Sequence, residues 1–150
     1  MALALEPGVS TMVFKGNKHI IKDYPEAIGP FLNSTINVST ETITKNRATV
    51  QKFMDALAKA YRDASKNSDD LAKVAVKWFP STDVAVMEAA IQRMIKARSF
   101  PADTTFTRAS FEKNLEYLRL GEPSNTALQV KWEDIADTSF AEAATKAAAR

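Results

Sequence analysis

Side chains able to do chemistry are sparse in this chain of 150 residues. Cysteine is absent and His19 is the single histidine, which removes thiolate zinc sites and cysteine nucleophiles and leaves little room for a Ser-His-Asp triad. His19 precedes two isoleucines on a predicted strand, and this favours a partly covered structural histidine over a general base. Neither a glycine-rich phosphate loop nor a Gly-x-Ser-x-Gly motif occurs. The sequence therefore predicts a protein that is not an enzyme and has no cofactor and no metal site.

Glu6 is the first candidate for a binding residue, because it ends an apolar segment and stands just before Pro7 and Gly8. Proline followed by glycine turns the backbone sharply, so the carboxylate would be held in one direction. The alternative is an ordinary surface turn, and the spacing alone favours that alternative.

Two acidic pairs and two tryptophans have structural explanations that suffice. The pairs at residues 69–70 and 133–134 lie in or just before a predicted first helical turn, where carboxylates interact favourably with the helix dipole. Trp78 closes an apolar helical stripe and Trp132 stands among charged neighbours. Aromatic side chains at such spacing belong to a core more often than to a ligand platform.

The charge pattern argues against nucleic-acid binding. Lys and Arg number 20 and Asp and Glu 18, and the two signs alternate along most of the chain, whereas a nucleic-acid binder concentrates basic residues on one face. With 45% apolar and 25% charged residues the composition is that of one globular domain. No run of residues is long and apolar enough for a membrane span, and the first residues lack the features of a signal peptide.

The first 40 residues differ from the rest because glycine and proline interrupt them repeatedly. We predict one or two short strands and loops in this part, with a short helix beginning near Pro7. The strand candidates are the clusters at residues 12–14, 19–21 and 36–38.

From Thr40 onward the spacing of apolar residues predicts helices with one buried face each. The predicted inner faces are Val50, Phe53, Met54, Leu57 and Tyr61; Leu71, Val74, Ala75 and Trp78; Val86, Met87, Ala90, Ile91, Met94 and Ile95; and Phe111, Leu115 and Leu118. The alanine-rich residues 140–149 predict a final helix. The fold class predicted from the residues is mainly α with a few short strands.

Polar residues and one glycine predict where these helices begin and end. Ser68, Ser81 or Thr82, and Thr107 are placed to cap helix N-termini. Gly121 is the predicted left-handed residue that ends the fourth of these helices.

Several short motifs follow one another in a recognisable order. They are Leu5-Glu6-Pro7; Thr40-x4-Lys45-Asn46-Arg47-x2-Val50-x2-Phe53-x2-Ala56-Leu57-x2-Ala60; Lys66-Asn67-Ser68 with Leu71-Ala72; Trp78-Phe79-Pro80; Gly121; and Trp132-Glu-Asp-Ile-Ala-Asp137-x-Ser-Phe140. In this order they resemble the substrate-binding proteins of ABC transporters of the nitrate, sulfonate, taurine and thiamine-precursor type. Arg47 departs from that family, which commonly has proline at this position.

The resemblance implies that the chain is the C-terminal part of a bilobal α/β periplasmic-binding-protein fold of type II. Residues 1–40 would come from the second lobe and the return crossing, and residues 41–150 would form the helical C-terminal part. Met1 would then be an artificial or secondary start. Glu6, and after it Asn37, are the residues expected near the ligand cleft.

The same resemblance implies a function, a location and partners. The full-length protein would capture a small solute in the periplasm and deliver it to an ABC permease. This chain alone would lack half of the cleft and is not expected to bind the ligand. Helix faces that should cover a sheet would be left open, so we expect a homo-oligomer. The alternative is a stand-alone helical protein-interaction module.

Overall fold

The computed structural model describes residues 3–29, 34–97 and 103–149. Within these ranges the regular elements are nine α-helices and one short 3₁₀ helix. They are α1 (Gly8–Gly16), α2 (Tyr24–Ile28), α3 (Thr40–Lys45), α4 (Arg47–Lys66), α5 (Ser68–Ala75), α6 (Val84–Lys96), α7 (Arg108–Gly121), the 3₁₀ helix (Thr126–Gln129), α8 (Trp132–Ile135) and α9 (Ser139–Ala148). The prediction of a mainly α protein is confirmed.

The predicted short strands are wrong, because the described residues contain no strand. Residues 12–14 lie inside α1, the short helix predicted to begin near Pro7. Residues 19–21 and 36–38 lie outside any helix or strand, and Ile21 and Ile36 are 82% and 57% exposed. A β-branched cluster forms a strand only where a second strand pairs with its backbone, and these segments have no such partner among the described residues.

The long helices follow the predicted apolar spacing. In α6 four residues of the predicted inner face are buried, namely Val86, Met87, Ala90 and Ile91. The other two are not, since Met94 is half-buried and Ile95 is 37% exposed. In α4 the predicted inner face is mostly half-buried, and Phe53 is 51% exposed. The period of a sequence pattern thus fixed which residues share a face, whereas the depth of burial depends on what packs against that face.

Of the predicted helix ends, one is confirmed and three differ in the structure. Thr107 caps α7 as predicted, accepting a hydrogen bond from the backbone amide of Ser110. Asn67 rather than Ser68 caps α5 through its side chain, and the residue before α6 is Asp83, one position after the predicted cap. Gly121 is the last residue of α7 and does not have the predicted left-handed conformation. Left-handed backbone occurs instead at Gly29, with φ 75°, and at Asn17, with φ 49°, which ends α1.

The chain divides into two compact units. Unit 1 takes its described residues from positions 3–27 and 61–97, and so contains α1, α5, α6 and the end of α4. Its core is formed where α5 and α1 pack on α6. Ala72, Met87 and Ile91 are buried there, with Leu71, Ala75 and Val76 packed against them.

Unit 2 takes its described residues from positions 28–60 and 103–149, and so contains α3, most of α4, α7, the 3₁₀ helix, α8 and α9. The buried apolar residues of this unit are Ala58, Phe140, Ala141 and Ala144. Thr104 donates a hydrogen bond to the carbonyl of Ala141 in α9 at 3.3 Å. The predicted boundary at residue 40 concerns the lobes of a longer protein and stays a prediction.

Candidate functional site

An open apolar cleft of about 200 Å³ lies within unit 1. Helices α5 and α6 form its walls, and the turn before α1 closes one side. Its lining consists of Glu6, Pro7, Leu71, Ala75, Phe79, Met87, Ala90, Ile91 and Met94. Apart from Glu6 these side chains are apolar, so the cleft can hold aliphatic or aromatic groups but offers few polar partners.

Glu6, the first candidate from the sequence, faces this cleft with its side chain 11% exposed. Its Oε2 accepts a hydrogen bond from the backbone amide of Ser10 at 3.0 Å, and its Oε1 accepts one from the Ser10 hydroxyl at 3.2 Å. Ser10 is completely buried and lies in the first turn of α1. Glu6 therefore satisfies a free amide at the start of that helix, where a carboxylate is also favoured by the helix dipole.

Arg93 of α6 supplies the charge opposite Glu6. Its Nε lies 3.0 Å from Glu6 Oε1, and the two side chains are 29% and 11% exposed. The Nε atom is buried and its angle to the carboxylate does not give a hydrogen bond, so the contact is an ion pair. With its charge compensated and its oxygens occupied, the Glu6 carboxylate is held in one direction by Ser10 and Arg93.

Asn37, the second candidate, lies in unit 2 in an exposed segment between α2 and α3. Its contacts are local: the Thr35 hydroxyl donates to Asn37 Oδ1 at 3.3 Å, and Asn37 Nδ2 donates to the Thr35 carbonyl at 3.4 Å. A role for Glu6 or for Asn37 in ligand binding stays a prediction.

A second polar cluster, which the sequence did not reveal, joins the start of α4 to the start of α9 in unit 2. Arg47 Nη2 donates to the Ser139 hydroxyl at 2.9 Å, and Nη1 lies 3.6 Å from Asp137 Oδ2. The guanidinium also lies over the ring of Phe140, 4.2 Å from its centroid. Arg47 and the closing segment belong to two separate motifs of the sequence, and only their approach in space makes them one cluster.

The Asp137 carboxylate of this cluster is stabilised in its charged form. Its Oδ1 accepts hydrogen bonds from the hydroxyl of Ser139 at 2.5 Å and from the backbone amide of Ser139 at 3.1 Å. The Ser139 hydroxyl makes the largest contribution to lowering the pKa of Asp137, and the Ser139 amide and the charge of Arg47 act in the same direction.

The two tryptophans have different surroundings. Trp132 packs against Phe106 and Phe111, with ring centroids 4.9 and 5.7 Å away, but it is half-buried rather than a core residue. Trp78 is 81% exposed, and the prediction that it is a core residue is wrong. Leu71 and Ala75 of the predicted stripe pack against the core, whereas Val74, which also lies in α5, is 51% exposed, so the stripe is only partly covered.

His19 and the acidic pairs offer no catalytic arrangement in the described parts of the chain. His19 is exposed, which overturns the prediction of a partly covered residue. The acidic pairs lie in the first turns of α5 and α8, as predicted. A hydrogen bond from its own backbone amide and one from Arg108 lower the pKa of Glu133. Among the described residues no three His, Asp or Glu side chains come together as metal ligands.

Comparison with known proteins gives one informative similarity. Over 108 residues the chain is 29% identical to a protein of Bacillus subtilis (strain 168) named "Putative binding protein YtlA". The aligned part makes up 71% of this chain and 32% of that protein, so the similarity concerns about a third of the relative's length. No protein-family model matches the chain. No solved structure matches it either.

The name of that relative describes a binding protein, which is compatible with the coarser part of the sequence prediction. None of the helices in the described ranges is sufficiently long and apolar to cross a membrane.

Proposed function

We propose that this chain is the C-terminal part of a substrate-binding protein that captures a small solute in the periplasm and delivers it to an ABC permease. The observation that carries the proposal is the similarity, over 71% of the chain, to a protein whose name describes a binding protein. The order of motifs from Leu5-Glu6-Pro7 to Phe140 supports the same assignment and supplies its finer part, the transporter type. The role involves no chemical step.

In this proposal the solute binds between two lobes. This chain supplies a part of one of them. An incomplete cleft makes only about half of the contacts with the solute and cannot close around it to exclude water. These contacts therefore do not offset the entropy that the solute and the protein lose on binding. The isolated chain should therefore bind solutes of this family weakly or not at all. Glu6 and Asn37 are the residues of this chain that we place nearest to the solute.

The test compares this chain with the longest protein encoded by the same reading frame. Both are titrated by calorimetry with taurine, nitrate, pyrimidines and small aromatic acids. We expect micromolar binding of one of these solutes by the longer protein and no measurable heat with the 150-residue chain. The contrast is the informative result, because it ties binding to the completed cleft.

Two results would contradict the proposal. One is a stop codon directly upstream of Met1 together with a separate ribosome-binding site. The other is micromolar binding of such a solute by the isolated chain, since the proposal assigns half of the contacts to residues outside it.

The second candidate function is a stand-alone helical interaction module. It is favoured by the number of large apolar side chains that stay exposed, among them Leu5, Phe14, Phe53, Trp78 and Leu120. A module of this kind would bind a protein partner through an apolar surface and would ignore small solutes. The same calorimetric panel separates the two candidates, because only the binding protein responds to a solute once the chain is extended.

A further inference from the structure

We draw no further inference here: the strongest candidate, the open apolar cleft of unit 1 between α5, α6 and the turn before α1, carries none because nothing in the structure shows what covers it.

Discussion

Glu6 connects three parts of unit 1 through one carboxylate. It caps the first turn of α1 through Ser10, it pairs with Arg93 of α6, and its side chain forms the polar edge of the cleft. An ion pair that is mostly withdrawn from water has lost hydration on both sides, so each partner depends on the other. This is the opposite situation from the exposed pairs on the same unit, whose charges stay hydrated when they separate.

We expect Glu6→Gln to destabilise the protein by about 1–3 kcal/mol, because the Nε of Arg93 is buried and would lose its counter-charge. The control is Glu26→Gln, which breaks the exposed Lys22–Glu26 pair of the same unit, with side chains 56% and 71% exposed. That change should alter the free energy of unfolding by less than about 0.5 kcal/mol. Urea unfolding followed by circular dichroism measures both, and equal losses in the two variants would contradict the role given to Glu6.

At the scale of elements, side chains at the start of α4 contact the start of α9. Arg47 reaches the hydroxyl of Ser139 and the ring of Phe140, and Gln51 donates to the Phe140 carbonyl at 3.2 Å. The carboxylate of Asp137 accepts a hydrogen bond from the Ser139 hydroxyl and so orients that side chain. Because the pKa of Asp137 is lowered on folding, the strength of its interaction with Ser139 and Arg47 depends on pH.

The direction of this dependence follows from the lowered pKa. The contribution of Asp137 is fully present above its ordinary pKa of 3.8 and is lost as the pH falls through the lower value of the folded state. The side chain is 39% exposed, so solvent screens the interaction and we expect a contribution of no more than about 1 kcal/mol. Asp137→Asn should lower stability at pH 7 and should show less additional loss on acidification than the unchanged chain.

Unfolding by urea at pH 7 and in the acid range checks this prediction. Asp63→Asn is the control, because the Asp63 side chain is 55% exposed and pairs with its neighbour Arg62. The role of Asp137 would be refuted if Asp137→Asn and Asp63→Asn lost the same stability between the two pH values.

At the scale of the whole molecule, the described residues form a small buried core in each of the two units. The core of unit 1 centres on Met87, which is 4% exposed and lies against Ala72 and Ile91. The core of unit 2 centres on Phe140 and the alanines of α9. A small core contributes little stability. A cavity in one core should therefore promote local unfolding mainly in the helices that form that core.

Met87→Ala should cost about 2–5 kcal/mol, because it removes a buried side chain and leaves a cavity. Hydrogen exchange should then accelerate in α1, α5 and α6 more than in α7 and α9. Leu120→Ala, at a residue that is 76% exposed, should change stability by about 0.5 kcal/mol or less. Uniform acceleration of exchange in both units would show that they unfold as one.

The sequence by itself determined the helices and the faces that they bury. The buried residues of α6 and the cap at Thr107 were predictable because apolar period and capping depend on residues within a turn or two of each other. The strands predicted at residues 19–21 and 36–38 were wrong because a strand forms only where a distant segment of the chain pairs with it.

Only the tertiary structure decided what each face and each charge meets. The sequence offered Glu6 as a candidate for a directed carboxylate but favoured an ordinary surface turn. Nothing local identifies Arg93 as the partner of Glu6, or Ser139 as the partner of Arg47. Trp78 continues the apolar spacing of Leu71 and Ala75, yet it is 81% exposed, and that spacing does not predict its exposure. Local spacing fixes direction along a helix, whereas pairing and burial are set by residues far away in the chain, and these approach only when the helices pack.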